Sequence, residues 1–299
     1  MIRAGLLGLL LTAAGPSAPP PGRLVLLGPR AWGWISGDDR SANGAIFAGD
    51  SAALVVDPGL TPGLARELLA RAAKVTGRPV RYVVLTHWHP DHALGVTCLP
   101  DRELTVWSSP SAQAALAERA GAVARSLAGA ARTDAERRAF TACTPRPPDR
   151  TVADRHRFDL GGVVVEAFAP GPAHTDGDLV VWAPAERVLA TGDVMMHRAC
   201  PDMGEGHPAH WLEVVDSLVA LRPAAVVAGH FGPSTPAVLT RFRDYLATLI
   251  DRVTAAFRRG DPPDGIAAAI RMPEFDDFAQ YPQYQATFAG NAARVFNLN

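Results

Sequence analysis

An α/β fold, grouped with α+β in some schemes, is what the pattern of this 299-residue sequence predicts. Three observations carry that expectation. Short apolar runs of strand length occur at 24–27, 45–48, 52–56, 82–85, 163–168, 179–182, 187–190 and 224–228. Helix-like stretches fall between or after them, at 63–75, 111–131, 133–142, 210–221 and 235–258. Hydrophobic content of 48% is enough for a sizeable core, and strands interleaved with helices argue against a bundle or an all-β sandwich.

Taken in order, Arg3 is followed by the apolar stretch Ala4 to Leu11, then by small residues and Pro16, Pro19, Pro20 and Pro21. That stretch is far shorter than the roughly 20 apolar residues needed to cross a bilayer. A basic start, short apolar middle and small-residue tail fit a secretory signal, so 1–22 is expected to be signal and Pro-rich linker of a periplasmic or secreted protein. Trp32 and Trp34 are expected to fill the edge of the core, within a segment, 31–43, expected to border the site. The run at 52–56 ends at Asp57-Pro58-Gly59, a turn or a support for chemistry. The run at 82–85 ends in a donor-rich motif, after which a helix is expected to carry Cys98 into a buried position. Arg119, Arg125, Arg132, Arg137 and Arg138 alternate with Glu118, Asp134 and Glu136, the pattern of a solvated face. Trp211, Val214, Val215, Leu218 and Leu221 have core spacing on the helix at 210–221. Tyr281, Tyr284, Phe288 and Phe296 suggest a final helix packed on the body or on a second subunit. The boundaries are therefore 1–22, a main domain at 23–260 and a C-terminal extension at 261–299.

Net charge near −1 makes no case for a nucleic-acid partner; a small-molecule substrate is expected, and no segment of the mature chain looks membrane-spanning. Cys98, Cys143 and Cys200 are odd in number and widely spaced, so no disulfide framework is expected and Cys200 is read as structural. His156, between Arg155 and Arg157, is expected at the surface.

The most informative segment is Thr86-His87-Trp88-His89-Pro90-Asp91-His92, directly after Val83-Val84-Leu85. Imidazole and carboxylate without thiolate suit zinc, with iron or manganese as other occupants. Alternate side chains of an extended segment point the same way, so His87 and His89 can reach one ion together. A turn into a helix would redirect Asp91 and His92 toward a second position; two-metal hydrolytic sites hold their ions about 3.5–4 Å apart. This cluster leaves both positions short of ligands. Further donors stand where apolar runs end: His174 in Ala173-His174-Thr175, Asp193 in Thr191-Gly192-Asp193 and His230 in Gly229-His230.

These motifs, with Ser51 to Gly59 closing on Val-Asp-x-Gly, resemble those of the metallo-β-lactamase superfamily over about residues 42–235. The resemblance implies a four-layer αββα sandwich with a metal site at one edge. It implies that His87, His89 and His174 hold one ion, that Asp91, His92 and His230 hold another, and that Asp193 bridges them. It further implies a binuclear zinc metallohydrolase, with two Zn²⁺ per chain. A metal-bridging hydroxide would attack an ester, thioester, lactone or amide, and Asp91 would also act catalytically by orienting the nucleophile or shuttling a proton. Asp57 and Thr86 would hydrogen-bond the ligand side chains.

The bridging aspartate resembles the glyoxalase II and lactonase-like branches more than true β-lactamases. Lys74 is the only lysine, however, which fits poorly with the basic glutathione-binding region of glyoxalase II. His230 is followed by Phe231 where many relatives have Gly-His-Gly, a bulkier neighbour on the second-metal side. The alternatives are an iron-dependent redox enzyme of the sulfur dioxygenase type, β-lactamase activity, or a non-catalytic metal-binding protein. A loop at 195–210 is the other region expected to control access; spacing alone assigns no role to its His197, His207 or His210.

Overall fold

The computed structural model describes residues 22–100, 103–262, 265–266, 269–278 and 291–295. The expected signal at the N-terminus and the aromatic residues Tyr281, Tyr284, Phe288 and Phe296 lie outside the described residues.

One sheet runs in chain order: β1 (Arg23–Gly28), β2 (Ala31–Ile35), β3 (Gly44–Ala48), β4 (Ala53–Val56), β5 (Val80–Val84), β6 (Thr105–Ser108) and β7 (Arg150–Thr151). It is antiparallel up to β4 and parallel from β4 to β7. The second sheet contains β8 (Arg155–Asp159), β9 (Val164–Phe168), β10 (Val180–Ala183), β11 (Val188–Gly192), β12 (Ala225–Ala228) and β13 (Pro233–Ser234), in the spatial order 13-12-11-10-9-8. Only β11 and β12 pair in parallel there.

Side chains alternate across a strand, and the alternation produces the layers. Leu54 and Val56 point inward with Val165, Val181 and Val188, forming the core between the sheets. Val55, Ile46 and Val83 point outward and pack with α1 (Pro62–Thr76), α2 (Pro90–Thr97), α3 (Pro110–Gly129) and α4 (Asp134–Thr141) through Leu68, Leu94, Leu116 and Phe140. On the other side Val180, Leu189 and Val226 meet Trp211 of α5 (Pro208–Ala220) and Phe242 and Tyr245 of α6 (Pro236–Arg258). Four layers, αββα, follow.

Helix ends are set by local chemistry. Thr61 caps α1 through Leu64 N–H at 3.2 Å, Pro62 stands in its first turn, and Gly77 closes it at φ 65°. The segment with Trp32 and Trp34 is strand β2; Trp34 is buried and Trp32 half-buried. Strands β6, β7, β8 and β13 have no apolar run to reveal them. Strand β8 reads Arg-His-Arg-Phe-Asp because it is an edge strand, where charged residues blunt an exposed hydrogen-bonding row.

Three expectations are corrected. Cys98 and Cys143 form a disulfide, with Cα atoms 5.0 Å apart, because the ends of α2 and α4 pack on the same sheet face. Counting cysteines does not reveal which two meet. Cys98 is half-buried at the C-cap of α2 rather than enclosed within it. His156 is half-buried and stacked on Trp107, ring centroids 4.3 Å apart.

Cys200, by contrast, is buried beside Tyr245 in the core, where burial pushes its thiol up to about 11. Ile266, Ile270, Met272, Phe275, Phe278, Ala292 and Val295 join that same core. No helix among the described residues is long and apolar enough to cross a membrane.

Candidate metal centre

Four chain segments bring the expected donors to one place, at the loops that follow β5, β9, β11 and β12. His87 and His89 stand in the extended turn after β5, and Pro90 then starts α2, which swings Asp91 and His92 round. The loop between β9 and β10 brings His174, Asp193 follows β11, and His230 follows β12.

Single ligand atoms from His87, His89, His174 and Asp193 lie within 4.8 Å of one another, and so do those of Asp91, His92 and His230. Asp193 connects the groups. Its carboxylate oxygens are 3.6 Å from His174 Nε2, 3.2 Å from His92 Nε2 and 3.5 Å from His230 Nε2. Asp91 Oδ2 is 2.9 Å from His230 Nε2, and His174 Nε2 is 3.0 Å from His89 Nδ1. His87 Nε2, His92 Nε2 and Asp193 Oδ1 are buried with no hydrogen-bond partner. Buried polar atoms are rarely left this way. Lone pairs gathered round a common centre are what a cation would satisfy, so the donor set fits divalent metal.

Charge separates the two groups. Burial, together with the neighbouring imidazoles, holds His87 well below the usual histidine range; burial also lowers His174, to about 4. The second group behaves oppositely. Burial opposes the charged forms, but Asp193 and Asp91 outweigh it and raise His92 well above its ordinary value and His230 to about 10. For Asp193 and Asp91 burial again works against charge, yet His230 and His92 keep both carboxyls lowered.

Asp57 holds this arrangement from behind. Its carboxylate accepts Thr86 N–H at 2.8 Å and the Thr86 hydroxyl at 2.7 Å, and it stands 2.8 Å from His92 Nδ1. Glycine makes room at the bridge: a Cβ on Gly229 would collide with the Asp193 carboxylate, and one on Gly192 with Thr86.

Two supports were not anticipated from the sequence. Buried Asp178 accepts Ala173 N–H at 3.1 Å, Thr175 N–H at 3.0 Å and the Thr175 hydroxyl at 2.8 Å, which shapes the loop presenting His174. Burial raises its carboxyl to about 7 despite those donors. The turn composition Thr-Asp-Gly-Asp was the available signal. Asn43 gives its amide to Ala228 and Phe231 carbonyls, both at 3.1 Å, and so ties the segment before β3 to the His230 loop.

The histidines left without a role stay outside the cluster. His197 Nδ1 meets Ser234 Oγ at 2.9 Å, His207 Nε2 meets Asp176 at 2.6 Å, and His210 Nδ1 donates to the Pro172 carbonyl at 2.7 Å. Beside the His89 flank lies a cavity of about 450 Å³ bordered by Trp88, Ser111, Arg119, Thr175, Glu205 and Arg294. Phe231 remains exposed on the His230 flank with φ 71°.

Comparison with known proteins agrees with this architecture. The model of the metallo-beta-lactamase superfamily matches residues 37–230. A linear primary-alkylsulfatase of Pseudomonas sp. is 23% identical over 79% of this chain and 51% of its own length. A type 2 metallo-beta-lactamase of Bacillus sp. is 24% identical over 62% of the chain and 65% of its own length. A hydroxyacylglutathione hydrolase of Rhodobacter capsulatus is 30% identical over 61% of the chain and 62% of its own length. The matches thus span about half to two thirds of these relatives. Among solved structures, the DIM-1 metallo-beta-lactamase superposes with TM-score 0.62 at 21% identity, covering 77% of this chain and 99% of that one. A metallo-beta-lactamase from Pontibacter korlensis gives 0.60 at 20% identity, over 76% and 99%. With its family model covering well over half the sequence and its two-sheet sandwich superposing on solved members, the chain belongs to the metallo-beta-lactamase superfamily.

Proposed function

We propose that this chain is a metal-dependent hydrolase with a binuclear zinc centre, cleaving an ester, thioester, lactone or amide. The observation that supports it is the shared position of Asp193, whose two oxygens approach ligand atoms of both donor groups. His87, His89 and His174 would hold one ion, Asp91, His92 and His230 the other. Two zinc ions there would acidify water and polarise the scissile carbonyl.

The protein's own groups do the remainder. Asp193 reduces net charge at the centre and sets the separation of the two positions. Asp91, half-buried with Oδ2 beside His230, can accept the proton that an attacking water gives up and pass it toward the leaving group. Buried His87 and His174 stay neutral and keep their lone pairs for a cation. The named relatives act on an alkyl sulfate, a β-lactam and a hydroxyacylglutathione, which supports a small-molecule substrate. The Cys98–Cys143 disulfide supports an oxidising compartment, in line with the export expected from the N-terminal segment.

Elemental analysis of the purified chain, with turnover on thioesters, lactones, aryl esters and β-lactams, tests this. About two zinc per chain are expected. Asp193→Asn is expected to lower kcat at least about tenfold, on the scale of lost ligand support. Stoichiometric iron with oxygen consumption would overturn it.

A further inference from the structure

Metal-binding histidines need their outward nitrogen held, because that bond fixes both the tautomer and the ring plane. His92 gives its outward Nδ1 to Asp57, and His87 gives its own to Thr86 Oγ1 at 3.0 Å. His89 is turned the other way: its Nδ1 faces His174 and its Nε2 faces out of the cluster. Asp57 and Thr86 are engaged with His92 and His87 instead.

What stands at His89 Nε2 is Glu205, from the loop between β11 and α5, with Oε2 at 3.5 Å. Glu205 is itself fixed at both oxygens. Oε2 accepts Trp88 Nε1–H at 2.9 Å, and Oε1 accepts Arg119 Nη1 at 3.1 Å. The Arg119 guanidinium lies over the Trp88 ring, 4.7 Å from its centroid, and the Trp88 ring meets His89 edge-on at 4.8 Å. Trp88, Arg119 and Glu205 therefore form one assembly on the flank of His89.

The loop is held from the far end of the chain. Buried Asn291 accepts Met203 N–H at 3.1 Å and donates to the Pro201 carbonyl at 2.6 Å, and Arg294 Nε donates to the Gly206 carbonyl at 2.9 Å. Three bonds from residues 291–295 thus bracket Glu205 on both sides.

We propose that Glu205 is a positioning residue for the metal centre: its carboxylate accepts the His89 Nε2 proton and so keeps the Nδ1 lone pair turned toward the first metal position. A carboxylate only accepts, so the nitrogen facing it must carry hydrogen, and on a neutral ring the opposite nitrogen is then bare. The proposal rests on the metal-centre reading and adds a residue outside the ligand set.

Zinc affinity, measured by competition with a chromogenic chelator, tests it in the full chain and in Glu205→Ala and Glu205→Gln. The His89 side-chain tautomer is read in parallel by nitrogen–proton NMR, with His89→Ala giving the assignment. Glu205→Ala is expected to weaken one zinc about 10–100-fold, the usual effect of losing such a partner, and to lose the slowly exchanging Nε2 proton. Glu205→Gln, whose amide oxygen still accepts, is expected to keep zinc affinity within about threefold of the original chain, well short of that loss, and to retain the Nε2 proton. Near-UV circular dichroism checks that the variants fold; side-chain exposure of 45% at Glu205 favours it. If the unaltered chain takes up zinc and Glu205→Ala matches it in affinity and tautomer, the role of Glu205 is overturned while the metal centre stands. An unaltered chain that takes up no zinc overturns both.

Discussion

Asp57 Oδ2 lies 2.8 Å from His92 Nδ1, and the same carboxylate binds Thr86 through backbone and hydroxyl. Because the Thr86 hydroxyl spends its proton on Asp57, it can only accept from His87 Nδ1. One carboxylate thus sets the tautomer of a ligand in each donor group.

Asp57→Asn isolates that role. Asp57 has φ 47°, a region asparagine also tolerates, so the backbone is preserved. The new amide N–H₂ must face a donor, either Thr86 or His92. Zinc affinity is expected to fall about 10–100-fold; titration against a chelator checks it, and unchanged affinity would show that Asp57 serves only the turn.

The two positions should differ in pH dependence. In the metal-free chain His230 titrates at about 10 and His92 well above its ordinary value, whereas His87 and His174 are already neutral near pH 7. The sign follows: a raised histidine stabilises the metal-free fold fully below its unfolded value near 6.5, and that contribution is lost as pH rises through about 10. Metal must displace those protons. The second position is therefore expected to gain affinity with rising pH between about 7 and 10, while the first changes little. Calorimetry in buffers of different ionisation enthalpy counts the released protons; equal release at both positions would contradict the assignment.

Gly229→Ala tests the geometry of the bridge. The added methyl would meet the Asp193 carboxylate and the Gly192 backbone, neither of which can retreat without moving the ligands. Loss of one zinc and a kcat drop of at least about tenfold are expected, comparable with losing ligand support. A fully active variant would mean that Asp193 does not need its present position.

The disulfide closes a span of 45 residues. Chain-entropy reasoning puts the stabilisation from such a loop at about 4 kcal/mol. Cys143→Ser is expected to lower Tm by several degrees, as is reduction, with zinc uptake retained because neither cysteine touches a ligand. Identical melting with and without reductant would show that the bond contributes nothing.

The donor set was legible because most of it is local. His87, His89, Asp91 and His92 lie within six positions, and His174, Asp193 and His230 each follow an apolar run or its loop. Buried strands such as β4 and β12 were equally plain, since they must be apolar. Strand β8 was not: Arg155, His156 and Arg157 satisfy the needs of an edge, and only Phe158 turns fully inward.

The sequence by itself determined the α/β class and the donor types of the centre, because strand length, helix length and donor type are properties of short segments; the αββα layering came only through the family resemblance. Tertiary structure decided the supports. The links from Glu205 to His89, from Asn291 to the Glu205 loop and from Cys98 to Cys143 join residues 116, 88 to 90 and 45 positions apart. No periodicity encodes such pairs; they exist only once both sheets and their outer helices have packed.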